Sequence, residues 1–473
     1  MDPEPAGVTP SAAPTPVEPL SPTVRRGYAL GSVATGTFGT VPGLLLLPYL
    51  TDTLGVAAGL AAVLVFLPKA WDVLLNPVAG RISDRSVSPR GRRRPFLLRA
   101  GTALALTFAL IFAGPSAPVW LAAGWVVVLF LACASAYAFF QVPYVAMPAE
   151  MTLDYGERTR LMTWRVAVLA LAILLSGATA PLVVNAVADA WSRLAGYRVM
   201  GVYIGLVLLV GVIGAYRGTR DAPDHGVASP SGTTREQLRL VAQSRDFRAL
   251  LTTFVLQAAG VGAMLAGVAY VASNLLDAGG ADSILFVAFV APALVVTPLW
   301  ERFARTRGKR AGYLAATAFL GVGAACTFVA ISGSAPAAYA AAAIVGIGYA
   351  GAQVFPMAML PDVAADDAAR TGQNRTGVFT GVWTAGETLG LALGPGIFGL
   401  VLALGGYVSS RDGTAEQPDS AITAIAVGFS FVPAALIALS VVWLLRYRLD
   451  DRALRVPAPR RTPDQTDDPK ESR

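Results

Sequence analysis

From about residue 30 to residue 446 the chain alternates long apolar stretches with short polar or charged runs. A bilayer core about 30 Å thick needs about 20 apolar residues per helix, and twelve stretches reach that length. They fall roughly at 30–51, 57–80, 96–114, 118–147, 164–186, 199–217, 248–273, 283–303, 312–332, 336–361, 376–406 and 421–446. This pattern predicts an all-α polytopic membrane protein with twelve transmembrane helices. A polar stretch, 218–246, separates the sixth from the seventh and ends in the amphipathic run "REQLRLVAQSRDFRALL".

The chain also repeats itself. "QVPYVAMPAEMTLDYGERT" from Gln141 returns as "QVFPMAMLPDVAADDAART" from Gln353, with seven identities in nineteen positions and Glu150 matched by Asp362. The loop "RGRR" after the second helix has a counterpart, "RGKR", after the eighth. Both copies are six helices apart, so the two six-helix halves enter the membrane with the same orientation and are related by an axis along its normal. Such a pair can rock about a central site, which is the physical basis of alternating access. The expected organisation is a disordered cytoplasmic tail over 1–26, a six-helix bundle over 27–217, a cytoplasmic loop over 218–246, a second bundle over 247–447 and a cytoplasmic tail over 448–473.

Composition agrees: 55% of the 473 residues are hydrophobic and 14% charged, with a mean hydropathy of +0.57, against roughly 25% charged in soluble domains. The first 24 residues are rich in Pro, Ala and Thr without an apolar run, so the first membrane helix is expected to act as its own signal. Basic residues collect in the loops after helices two, four, six, eight and ten, including Arg85, Arg90, Arg92, Arg93 and Arg94. By the positive-inside rule this predicts a cytoplasmic-membrane protein with both termini in the cytoplasm. The net charge of +7 is mostly that topology signal and not a footprint for nucleic acid. Cys133 and Cys326 lie in separate apolar segments and His225 in a polar one, which points to no metal site. No nucleophile and base stand at a catalytic spacing, so the chain is not expected to be an enzyme; its expected setting is the lipid bilayer, as a monomer.

Ionisable residues near the bilayer centre cost about 2.5–3.5 kcal/mol on insertion scales, so each asks for a partner or a function. Lys69 and Asp72 share one face of helix two and can pair with each other. Asp72 can also carry a proton or a cation. Glu387 lies inside helix eleven near Trp383, followed by the close-packing cluster Gly390, Gly394, Pro395 and Gly396. Gln141, Tyr144 and Arg165, on helices four and five, join Trp383 and Glu387 as candidate solute contacts. At the cytoplasmic helix ends, Asp84, Arg85, Arg92, Glu150, Arg158, Asp362 and Arg370 are the candidate gate, with charge-assisted bonds that close that face and break when the halves separate.

The segments "LPYLTDTLGV", "KAWDVLLNPVAGRISDRSVSPRGRRRPF", "MPAEMTLDYGERTRLMTWR" and "MLPDVAADDAARTGQNRTGVFTGVWTAGETLGLALGPGIFGLVLALGGY" together resemble the glycoside-pentoside-hexuronide cation symporters of the major facilitator superfamily, over about residues 27–450. The resemblance implies a transporter that moves a small solute, commonly a sugar, with Na⁺ or H⁺ and no other cofactor. Asp72 matches the first carboxylate of the family's cation site and Lys69 a basic residue one turn earlier. Asn76 takes the place of the second carboxylate and Ala138 that of a hydroxyl ligand. The loss of two oxygen ligands favours H⁺ over Na⁺. In the sugar site Gly36 replaces an acid, Thr35 a lysine, Gln141 an acid, Val145 a stacking tryptophan and Thr388 a lysine, while Arg165 matches the family's helix-five arginine. The expected function is solute–proton transport through Asp72; an exporter or facilitator of a non-sugar or lipid-like solute and a transporter-like sensor are the alternatives.

Overall fold

The computed structural model describes residues 20–449 apart from 87, 89–92, 153, 224–242, 277–279, 372–375, 412 and 414. The twelve expected spans are present. They are α1 (Pro22–Asp52), α2 (Ala58–Asp84), α3 (Arg94–Ile111), α4 (Val119–Met151), α5 (Tyr155–Ala190), α6 (Arg193–Gly218), α7 (Arg245–Val271), α8 (Ala281–Arg307), α9 (Lys309–Cys326), α10 (Ala335–Thr371), α11 (Thr376–Leu404) and a twelfth span made of α12 (Asp419–Phe429) and α13 (Phe431–Leu444). No strand occurs among the described residues.

Local chemistry sets several ends. α1 starts inside the stretch expected as a disordered tail, because Ser21 Oγ accepts the Val24 N–H at 3.3 Å and Pro22 occupies the first turn, where its missing N–H costs nothing. The twelfth span breaks at Ser430, three residues before Pro433, whose ring displaces the carbonyl one turn earlier. α8 passes into α9 through Gly308, whose φ of 86° suits only glycine, in the loop "RGKR". Most of the central polar stretch lies outside the described residues, and His225 with it.

The spans pack as two six-helix halves, α1–α6 and α7–α13. α1 and α7 are the most enclosed, with 83% and 78% of their apolar windows buried, so these two line the molecular axis while the other spans keep a side for lipid. With twelve spans, the described chain ends share one face, termed here the terminal face; the opposite one is the distal face. The Gly394 cluster does what its sequence predicts: a Cβ on Gly394 would lie 2.3 Å from the backbone of Gly262, so α7 and α11 touch main chain to main chain.

Across the halves, α2 packs on α11, α5 on α8 and α1 on α7. Close approaches fall in the distal parts of these helices. Gly399 meets Ala62 and the carbonyl of Ala58, Gly177 meets the ring of Phe286, and Gly43 meets Leu265.

Candidate functional site

Asp72 sits halfway along α2, 4% exposed, with Oδ1 buried and unbonded. Lys69, one turn earlier, is its charged neighbour. The two share a face as expected, yet their charged groups form no ion pair among the described residues. A buried acceptor without a donor is costly, which marks Asp72 as a group held for a function. α2 is pinned against α4 beside it, where the Trp71 indole donates to Ser135 Oγ at 3.1 Å. Asn76 follows Asp72 by one turn and is partly exposed.

Tyr137, on α4, joins the candidates into one site. Its phenol has Asp72 from α2, Arg165 from α5 and Glu387 from α11 as electrostatic neighbours, and its ring packs 4.3 Å from that of Phe38 on α1. Nothing along the chain sets Tyr137 apart, since one more aromatic inside an apolar run carries no signal. Arg165 is partly buried with its Nε unbonded, and its guanidinium lies 5.7 Å from the centre of the Tyr144 ring. Gln141 is partly buried, one turn from Tyr137. This brings residues from both halves to one place: Asp72, Tyr137 and Arg165 from the first, Glu387 from the second.

Three expected solute contacts turn out to be packed elsewhere, Tyr144, Gly36 and Trp383, while Thr388 is partly buried. Tyr144 is fully buried; its hydroxyl donates to the Tyr28 carbonyl at 2.8 Å and lies 2.9 Å from Ser32 Oγ, while its ring fills the space over Gly31. It supports Arg165 from behind. Gly36 touches α5, with the Leu169 carbonyl 3.0 Å from where its Cβ would stand, so it is a helix-contact glycine. Trp383 is fully buried against Phe254, ring centres 4.5 Å apart, inside the second half. The Thr388 hydroxyl turns back to the Thr384 carbonyl at 3.0 Å.

The terminal-face charges pair within each half. Arg93 Nε donates to Glu150 Oε1 at 2.7 Å, tying the start of α3 to the end of α4. Lys309 Nζ donates to Asp362 Oδ2 at 2.5 Å, tying α9 to α10 through the repeat partner of Glu150. Arg158 Nη2 donates to the Thr152 carbonyl at 3.1 Å, and Arg370 pairs with Asp366 on its own helix at 2.9 Å. Arg85 is exposed, whereas Arg92 and the side chain of Asp84 lie outside the described residues. Among the described residues, these contacts of the repeated carboxylates brace each half. Arg93 and Glu150 are 12% and 6% exposed, against 31% and 20% for Lys309 and Asp362. Removing one partner of a buried pair costs about 3–5 kcal/mol and of a fully exposed pair about 1 kcal/mol or less, and the partly buried Lys309–Asp362 pair falls between them. Glu150→Gln is expected to lower the melting temperature of the purified protein well beyond Asp362→Asn, as read by fluorescence melting in detergent.

The distal face is different, because hydrogen bonds between the halves gather there. Thr51 Oγ1 is 2.7 Å from the Tyr270 hydroxyl, Tyr407 donates to Asp52 Oδ1 at 2.8 Å, Ser410 N donates to the Thr51 carbonyl at 3.1 Å, and Asn185 Nδ2 reaches both oxygens of Asp282 at 3.1 and 3.3 Å. Arg193 lies in the field of the buried Asp52, beside Gly413. Among the described residues, the halves are thus closed at the distal face and not bonded to each other at the terminal face.

Residues 27–451 match the family model described as MFS/sugar transport protein. The chain is 24% identical to the glucuronide carrier protein homolog of Escherichia coli (strain K12), over 91% of this chain and 93% of that one. It is 23% identical to the isoprimeverose transporter of Lactiplantibacillus pentosus, over 90% and 88%. Among solved structures, a bacterial homolog of the human lysosomal transporter Spinster, in an inward-facing and unoccupied conformation, superposes with a TM-score of 0.62 at 14% identity, covering 90% of this chain and 95% of that one.

Proposed function

Since this chain belongs to the MFS/sugar transport protein family and is a multi-pass membrane transporter rather than an enzyme, we propose that it carries a sugar or glycoside across the cytoplasmic membrane by alternating access, coupled to H⁺ through Asp72. The relatives named for a glucuronide and for isoprimeverose support a glycoside as the solute class. The Arg-rich loops support a cytoplasmic terminal face, and in that orientation the distal bonds close the outer side.

The observation that carries the reading is the asymmetry of the contacts between the halves. Hydrogen bonds and glycine-mediated packing join them at the distal face, while the charges of Asp72, Arg165 and Glu387 all act on the Tyr137 phenol deeper in, on the side where no bond between described residues ties the halves together. Rocking that broke the distal bonds would expose the same site to the other side. For the coupling ion, a proton needs only the Asp72 carboxylate. A sodium ion needs several oxygen ligands, and at the two family positions that would add them this chain has Asn76 and Ala138. Lys69, on the same helix face, offsets part of the cost of a charged Asp72 once the proton has left.

The test is solute exchange. Proteoliposomes holding the purified protein and preloaded with an unlabelled glycoside are expected to take up the same labelled glycoside faster than empty-loaded ones, for at least one member of a panel of glycosides and hexuronides. Binding without exchange across the whole panel would contradict transport and fit a sensor.

A further inference from the structure

Five exposed arginines gather where three spans of the second half end at the terminal face. Arg245 and Arg248 stand in the first turn of α7, Arg310 in the first turn of α9, and Arg446 and Arg448 just beyond α13. Two bonds hold these ends together: Arg310 Nη2 donates to the Leu445 carbonyl at 2.9 Å, and the Arg448 N–H donates to Asp246 Oδ1 at 2.7 Å. The second bond spends an oxygen of Asp246, the acid of this group, on main chain. The ion pairs among the described residues use other side chains, so none of the five arginines has a carboxylate partner there.

The matching place in the first half is chemically different. There Arg25 of α1 and Arg160 of α5 flank Glu157, at 4.0 and 3.0 Å, and Arg94 of α3 donates to the carbonyls of Arg220 and Ala222 after α6. Arg94 thus does on α3 what Arg310 does on α9, but with a carboxylate among the neighbouring arginines. The surface of α13 adds a second observation. Leu439, Val442 and Arg446 recur at three and four residues, so they share one face, and Leu439, Val442 and Leu445 are 50%, 46% and 54% exposed. An apolar surface that suits acyl chains therefore ends at a guanidinium. That guanidinium lies 4.5 Å from the ring centre of Trp443, which keeps it beside the helix.

We propose that the terminal ends of α7, α9 and α13 bind the headgroup of an anionic phospholipid, with Arg310 and Arg446 as its main contacts and the other three arginines as flanking charge. A lipid phosphate has the sign and the acceptor oxygens that guanidinium groups take. Arg310 spends one N–H on the Leu445 carbonyl and keeps the rest of its fork. The apolar face of α13 receives the acyl chains, which a free phosphate lacks. A zwitterionic headgroup brings its own cation to the same arginines and gains little. The site stands apart from Asp72 and Tyr137, and its occupancy depends on no solute.

Native mass spectrometry of the full-length protein, released from a neutral detergent, tests this with two probes, phosphatidylglycerol and phosphatidylcholine carrying the same acyl chains. The wild type is expected to retain phosphatidylglycerol in clear preference. An arginine near an anionic headgroup is worth about fivefold in binding, so Arg310→Gln with Arg446→Gln should weaken phosphatidylglycerol retention by about 25-fold and leave phosphatidylcholine unchanged. Arg217→Gln with Arg220→Gln, at the end of α6, removes the same charge from the first half and should retain the lipid as the wild type does. All four side chains are exposed, so both double variants are expected to fold. Equal retention of the two lipids by the wild type, or an equal loss in both double variants, overturns the proposal. So does complete displacement of phosphatidylglycerol by inorganic phosphate, which would mark a site for a free anion.

Discussion

Asp72→Asn is expected to abolish accumulation of solute against its gradient while leaving solute exchange across the membrane intact. Exchange needs the halves to rock with solute bound, and the neutral amide of the variant mimics the protonated carboxyl in both orientations. Accumulation needs the proton to be picked up on one side and released on the other, which an amide cannot do. With one proton per solute, a gradient of one pH unit is worth about 1.4 kcal/mol, or about tenfold accumulation. The wild type should approach that ratio and Asp72→Asn should stay near unity, read as the steady-state internal concentration of labelled glycoside in proteoliposomes. Loss of exchange together with accumulation would instead assign Asp72 to solute binding or to folding.

Locking the distal face shut is expected to stop transport altogether. Gly59 at the start of α2 and Ala403 at the end of α11 stand opposite each other there, with the Ala403 Cβ 3.4 Å from where a Cβ on Gly59 would lie, near the spacing that a disulfide needs. The double variant Gly59→Cys with Ala403→Cys, built on Cys326→Ala because Cys326 is exposed and Cys133 is buried, should lose nearly all exchange on oxidation and regain it on reduction. Each single-cysteine control should be indifferent to oxidant. Full exchange in the cross-linked protein would mean that the distal contacts never open, and the two halves would not be the moving parts.

The spans, the two halves and the orientation signal were all open to reading from the chain, because apolar length, a repeat of residue types and the placement of arginine are one-dimensional properties. Facing was not. In a span apolar on every side, nothing in the pattern tells whether Trp383 turns towards the axis or into its own half, and it turns into its own half against Phe254. Tyr144 and Gly36 stood out as candidate solute contacts, but local packing of α1 on α4 and α5 absorbs both. The gate residues were legible as types and not as pairs: nothing in "RGRRRP" tells that Arg93, at the start of α3, meets Glu150. Tyr137 had no signature.

The central claim is that the proton gradient drives the solute through this molecule. It is tested most directly by imposing a pH gradient, and separately a sodium gradient, on proteoliposomes of the wild-type protein with a glycoside that it exchanges. The account predicts accumulation that follows the pH gradient, reverses when the gradient is reversed and disappears when it is collapsed by a protonophore. Flux that only equilibrates the solute whatever gradient is imposed, or accumulation that follows sodium and ignores pH, would contradict it.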